Sequence, residues 1–295
     1  MSPATLGLMV LVNLAWALNI VITKLAVGTL GVPPLFYAAA RSLLVLLALA
    51  PLLTPLPRDL RTVLAVGLAI SGGSFALLFV GLTTASPSAA GVVSLSGAPL
   101  TVLFAILFLG ERVRWRRAAG MALTFAGVVL AMSAQASWEA GSGLLFVFAS
   151  AVVGALGSTF VKRLDIGAFQ LQACAALSST AVLVPLTLAV EPSPLGAIAA
   201  APLELLGCLL FAAIVVSIGA HGIYFRLLQR HDANLIVPLT LLNPLFTIAL
   251  GAWLTDDAIG YRLLVGGAVA IAGVAIIVRR PSATFAKGLL VRGRL

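Results

Sequence analysis

Charge is what this chain has least of. Only 9% of its 295 residues are Asp, Glu, Lys or Arg, against about 25% in soluble domains. Hydrophobic residues make up 61%, and mean hydropathy is +1.17. So little polar surface cannot coat a water-soluble particle, which excludes a soluble enzyme and a disordered chain. Cysteine is nearly absent: Cys174 and Cys208 both fall inside apolar runs, without redox or metal spacing, so no disulfide scaffold is expected. No G-x-x-x-x-G-K-[ST] loop occurs, which argues against ATP as energy source. No cofactor is expected. No carboxylate lies deep in any apolar run, so the commonest proton- or sodium-coupling group is missing.

The apolar runs are continuous and about 20 residues long, as in helical spans and unlike the ten-residue alternating strands of membrane barrels. Ten fit, near 5–25, 34–54, 62–82, 88–109, 117–135, 143–163, 168–189, 204–227, 234–254 and 262–279. The connections are short and leave no room for a soluble domain. The net charge of +9 comes from those connections rather than from a nucleic-acid-binding module. Of 18 basic residues, 15 fall on one side, among them Arg58, Arg61, Arg112, Arg114, Arg116, Arg117, Lys162, Arg163, Arg226, Arg230, Arg279 and Arg280. Lys24, Arg41 and Arg262 fall toward the other. Positive residues stay cytoplasmic. Both termini are therefore expected inside, in a bacterial-type inner (plasma) membrane. Glu139, Glu191, Asp256 and Asp257 are expected outside.

The chain repeats itself. Pro99 is followed after twelve residues by Glu111, and Pro244 after twelve by Asp256, an offset of 145. Gly120 and Gly127 in "GMALTFAGVVL" match Gly266 and Gly273 in "GGAVAIAGVAI" at an offset of 146. Ala17, Leu18 and Lys24 match Ala155, Leu156 and Lys162. With five spans, an odd number, each half crosses the membrane in the opposite sense to the other, the inverted-repeat design of secondary transporters. The expected fold is all-α: ten transmembrane helices in two inverted five-helix repeats around a central cavity. The expected units are 1–138, 139–280 and a basic cytoplasmic tail, 281–295.

Several stretches resemble the ten-span EamA type of the drug/metabolite transporter superfamily, and within it bacterial (aromatic) amino-acid exporters. They are "LAWALNIVITKLA" (Leu14–Ala26), Arg41, "SPSAAGVVSLSGAPLTVLFAILFLGER" (Ser86–Arg112) and the glycine-patterned spans five and ten. The resemblance covers residues 5–279. It implies an exporter of amino acids or similar small metabolites, with the lipid bilayer as its other partner. The second half departs from the pattern with Thr255-Asp256 for Gly110-Glu111 and Cys174 for Arg41.

Polar and kinking residues inside spans mark the candidate cavity. Trp16 and Asn19 share a face with Asn13 and Thr23; Gly157 and Ser158 belong to the small matching face of span six. Ser74 and Phe79 lie in span three, with Ser71 a weaker candidate. Pro99 and Pro244 lie near mid-membrane, each freeing a carbonyl, with Ser94 and Asn243 beside them. His221 and Tyr224 form a stripe with Ser217. The cavity is expected among spans one, three, four, six, eight and nine. Arg41 either snorkels outward or, in the sharper reading, contacts a substrate carboxylate. With His221 the only intramembrane group titrating near neutrality, facilitated or exchange transport is the leading mechanism. A proton antiporter and a sugar-phosphate or nucleotide-sugar carrier remain alternatives. An intramembrane serine protease is disfavoured, because Ser96-Gly97 lacks the G-x-S-G context and that chemistry has no use for an inverted repeat. Oligomeric state leaves no sequence signal.

Overall fold

The computed structural model describes residues 3–111, 113–133, 138–161, 163–230 and 236–278. The tail 281–295 and the basic residues Arg112, Lys162, Arg279 and Arg280 lie outside the described residues. The described residues form helices and no strand. In lipid every backbone N–H and C=O must be satisfied within its own segment, which leaves the helix as the solution for apolar runs of this length.

Apart from a short helix at Leu195–Ala200, the described helices are α1 (Pro3–Thr29), α2 (Pro34–Leu53), α3 (Leu60–Leu82) and α4 (Pro87–Leu109), then α5 (Trp115–Met132), α6 (Trp138–Val161) and α7 (Ala168–Val190). α8 runs through Pro202–Leu210, Phe211–Ala220 and His221–Arg230. α9 (Leu242–Leu254) follows the 3₁₀ turn Val237–Leu241, and α10 is Tyr261–Val278. Eight of these segments are long and apolar enough to cross a membrane. The two expected spans that fall short are α5 and α9. α5 opens on Arg116 and Arg117, and the described apolar stretch of α9 is short, Leu239–Leu254.

Local chemistry sets the ends. Pro34, Pro87 and Pro202 occupy first helical turns, where the missing N–H costs nothing. The Ser86 side chain accepts from the Ala89 N–H at 3.3 Å, and Gly110 closes α4 in the left-handed region at φ +66°. Inside α4, Pro99 cannot donate to the Leu95 carbonyl. The helix breaks into a turn at Leu95–Ser96, and the Ala98 N–H takes that carbonyl instead at 3.3 Å. Pro244 likewise follows the 3₁₀ turn that opens α9. Leu47, Leu107, Val129 and Leu188 are all exposed on the outside of the bundle, the face that hydrocarbon would cover.

The helix contacts come in matched sets. α3 packs on α6 and on α7; their repeat mates, α8 on α1 and on α2, pack likewise. α4 packs on α6, and α9 on α1. Three helices pack on their own mates: α2 on α7, α4 on α9 and α5 on α10. That pattern is what a two-fold relation between halves requires. It is sharpest at α5 and α10. A side chain at Gly120 would meet the Gly273 carbonyl at 2.9 Å, and one at Gly266 would meet the Gly127 carbonyl at 2.6 Å. Gly120 and Gly266 are repeat mates, as are Gly127 and Gly273, so each contact is the image of the other. Close backbone approach at small residues is how helices associate where lipid is as apolar as leucine.

Candidate functional site

A cavity of about 90 Å³ lies between the two halves. α2 lines it with Arg41, Ser42 and Val45; α3 with Ile70, Ser71 and Phe75; α7 with Ala168, Leu171 and Gln172; α8 with Ser217 and His221. These four helices are two repeat-related pairs, α2 with α7 and α3 with α8, so the cavity sits on the two-fold relation. α1, α4, α6 and α9 stand around this core rather than at its wall. The hydroxyls of Ser94 and Thr101 on α4 and of Thr247 on α9 are turned to their own backbones. Ser94 donates to the Ala90 carbonyl at 2.8 Å, Thr101 to Gly97 at 2.8 Å and Thr247 to Asn243 at 2.9 Å.

Two wall helices carry π-helical turns, Ala69–Gly73 in α3 and Phe211–Ala220 in α8. Displaced by the repeat offset, 69–73 falls on 214–218, inside the second. A π turn shifts the hydrogen-bond ladder by one residue and often marks functional sites. Here the shifted ladder is completed by side chains. The Ser217 hydroxyl donates to the Ala212 carbonyl at 2.8 Å, and His221 Nδ1 lies 2.9 Å from the Val216 carbonyl. Since a carbonyl only accepts, the His221 proton sits on Nδ1.

Arg41 is 3% exposed and does not snorkel. Its Nε and Nη2 donate to Ser217 Oγ at 3.1 and 2.9 Å, and its guanidinium lies 3.8 Å from the Phe75 ring centre. Position explains the departure from snorkelling. Arg41 sits seven residues into α2, about 10 Å along the axis, on the face turned to α8. Its repeat counterpart Cys174 is fully buried in an apolar cluster with Val63 and Leu171.

The other expected residues divide into groups. Trp16 packs on His221 at 5.3 Å and on Tyr224 at 5.2 Å between ring centres, so α1 adjoins the cavity through an aromatic layer. Asn19 is buried; its Oδ1, Asn13 Oδ1 and Trp16 Nε1 have no hydrogen-bond partner among the described residues. Phe79 is fully buried, stacked on Phe75 and edge-on to Tyr37. Ser74 hydrogen-bonds Ser150 across α3 and α6, and Gly157 receives Ile70, so both serve helix packing. Pro99 and Pro244 are buried, and Asn243 is half-buried. Ser158 is exposed, away from the cavity. Gln172, Ser42 and Val45 were not anticipated. Gln172 had a signal, an amide inside an apolar run, and its Nε2 donates to the Ser217 carbonyl.

The sequence profile of the EamA-like transporter family matches residues 4–133 and again 141–279. The chain belongs to the EamA-like transporter family. The double match falls on the two halves whose helices contact one another in matched sets. Two curated relatives of this EamA chain are each named a probable amino-acid metabolite efflux pump. One, from Escherichia coli (strain K12), is 28% identical over 280 residues, covering 91% of this chain and 93% of that protein. The other, from Salmonella typhimurium (strain LT2), is 30% identical with the same coverage. A solved crystal structure is similar at a TM-score of 0.56 and 22% identity, covering 98% of this chain and 99% of that one, which shows the EamA chain's fold alone.

Tight contacts join the halves at one end of the bundle. Glu191, after α7, accepts the Leu35 and Phe36 N–H groups at the start of α2, both at 2.8 Å, and the Thr187 hydroxyl at 2.7 Å. Asp257, after α9, accepts the Ser88 N–H at the start of α4 at 2.8 Å. Lys24 donates to the Thr83 carbonyl at 3.2 Å beside Asp257. In both cases a loop of the second half caps the repeat mate of the helix it leaves. Carboxylates are favoured there, because they meet unpaired N–H groups and the positive end of the helix dipole. At the opposite end the cross-half bonds use neutral acceptors and are exposed: Gln170 to the Pro55 carbonyl at 2.6 Å and Arg163 to the Phe108 carbonyl at 3.2 Å.

Proposed function

We propose that this protein exports amino acids or similar small metabolites by alternating access, as a facilitated carrier or exchanger without obligatory proton coupling. The carrying observation is the cavity formed by two repeat-related helix pairs. A site on the axis between inverted halves can be exposed to either side by rocking one half against the other. The names of the two curated relatives support the substrate class. The first repeat is taken as 1–138 and the second as 139–280.

Orientation follows from the basic residues: the membrane is the bacterial inner membrane, both termini are cytoplasmic, and Glu191 and Asp257 face outward. On that reading the carboxylate caps are outer latches. The cavity reaches inward as far as Ala168, the first residue of α7. At about 90 Å³ it is well under the ~300–1,000 Å³ of ligand pockets. The small cavity and the closed latches support reading this as an outer-closed, contracted state. Pro99 and Pro244 supply the bends beside the moving contacts, and Trp16, Tyr224 and His221 form the aromatic side of the path.

The test is uptake of a panel of labelled amino acids into vesicles holding the purified protein, with and without internal substrate and a pH gradient. Uptake accelerated by internal substrate and indifferent to the gradient is expected. Absence of uptake for every amino acid would overturn the substrate class. A cysteine at Gly141 should react with an impermeant reagent from outside and one at Trp115 should not; the reverse would invert the orientation.

A further inference from the structure

Arg41 has no carboxylate partner among the described residues, although a charged side chain inside a span costs about 2.5–3.5 kcal/mol on insertion scales. Such groups are kept buried when they are paired or when they bind something. The protein supplies part of the pairing. Ser217 Oγ accepts from Nε and Nη2 while its own proton goes to the Ala212 carbonyl. The hydroxyl therefore turns only lone pairs toward the arginine and fixes its orientation. Phe75 covers one guanidinium face at 3.8 Å. What is left is the end of the fork: Nη1, which is buried and has no hydrogen-bond partner among the described residues, and the second proton of Nη2. Two parallel N–H groups in one plane match a carboxylate. Arg41, with Ser71 and Gln172 across the cavity, lines the space that such a group would enter.

We propose that Arg41 is the carboxylate subsite of the substrate cavity, present once per molecule. The single copy follows from Cys174, which occupies the corresponding place in the second half among apolar neighbours. The charge class follows from the count. One guanidinium neutralises one carboxylate, whereas a phosphate monoester carries about −1.5 to −2 at neutral pH and would leave charge uncompensated in a low-dielectric wall. Nη1 is sealed in the contracted state, so the carboxylate docks as the cavity widens. The subsite rests on the carrier reading and narrows it to anions and zwitterions bearing a carboxylate.

Thermal stabilisation of purified protein reads binding directly, because a ligand of the folded state raises stability with its concentration. The probes are the twenty amino acids, benzoate, and the primary amide of whichever acid binds most tightly. The acid should bind wild type at least tenfold more tightly than its amide, a difference of about 1.4 kcal/mol. Arg41→Gln should lose the same factor toward the acid and change little toward the amide. Arg41→Lys, which keeps charge without the fork, should fall between. If Arg41→Gln does not fold, the acid–amide pair on wild type decides. Equal binding of acid and amide, retention of the acid by Arg41→Gln within twofold, or no carboxylate binding up to about 50 mM overturns the subsite. Benzoate binding without any amino acid would instead sink the amino-acid reading and leave the subsite standing. Uptake of acid and amide alike would sink the subsite and leave the carrier.

Discussion

Glu191→Gln tests whether the outer latches hold the halves together. The two carboxylate oxygens of Glu191 accept from Leu35 and Phe36 at 2.8 Å, and one also accepts from Thr187. Glutamine keeps one carbonyl oxygen and turns an NH₂ donor toward the other backbone N–H. At least one bond is lost with a donor left facing a donor, and the bonds that remain are no longer to a charge. A hydrogen bond to a charged group contributes about 1.5–3 kcal/mol. The closed state should lose that much, and the ratio of open to closed should rise roughly 10- to 150-fold, at 1.4 kcal/mol per factor of ten. Spin labels at Thr29→Cys and Ser193→Cys, both exposed near that end, report the opening after Cys174 and Cys208 are replaced. The longer-distance population should grow in Glu191→Gln, and Asp257→Asn should add to it because it caps a different helix. A distribution unchanged within twofold, in a variant that still folds, would refute the latch.

Pro99→Leu and Pro244→Leu should each slow vesicle transport by restoring straighter helices at the breaks beside the moving contacts; wild-type rates in both would remove the bend from the mechanism. Gly127→Val should lower thermal stability by at least the ~1–3 kcal/mol typical of overpacking, because its side chain would meet Ala270 Cα at 2.9 Å, whereas Gly7→Ala, with nothing within 4 Å among the described residues, should not lower it. Equal melting of the two variants would show that α5 and α10 are not held by that contact. His221→Gln removes titration and keeps hydrogen bonding, so transport should persist and remain independent of a pH gradient. Loss of uphill transport both on collapsing the gradient and in His221→Gln would establish proton antiport instead.

Much of the fold is readable before any coordinates. A run of apolar residues between Pro34 and Leu53 has one low-energy form in lipid, so the expected 34–54 and the observed helix nearly coincide. The repeat is readable because prolines and glycines act through the backbone. Pro99 and Pro244 break helices whatever surrounds them, and Gly120, Gly127, Gly266 and Gly273 mark contacts in which the partner is another glycine. The cavity wall is much less readable. Arg41 and Ser217 are 176 residues apart, and no local pattern says that they meet. The two π turns leave no periodic signature, since the ladder shift depends on which side chain completes it. Ser94 and Thr247 mislead for a related reason: a hydroxyl inside a helix can satisfy itself on its own backbone.

The same contrast separates what the two halves share from what they do not. The shared features are mechanical: the paired prolines, the paired π turns, the glycine contacts and the matched helix packing. Each must occur twice if the two halves are to exchange roles as the cavity changes sides. The unshared features are chemical: Arg41 against Cys174, and Trp16 on α1 opposite the small residues Ser150 and Gly154 on α6. A binding site on a two-fold axis has no reason to be symmetric when its ligand is not. An amino acid carries its carboxylate at one end, so a second arginine at Cys174 would stand unpaired in the wall. Cys174→Arg would therefore bury an uncompensated charge against Val63 and Leu171, at a cost of several kcal/mol. If that variant folds and transports like wild type, the claim that one buried cation suits one carboxylate loses its footing.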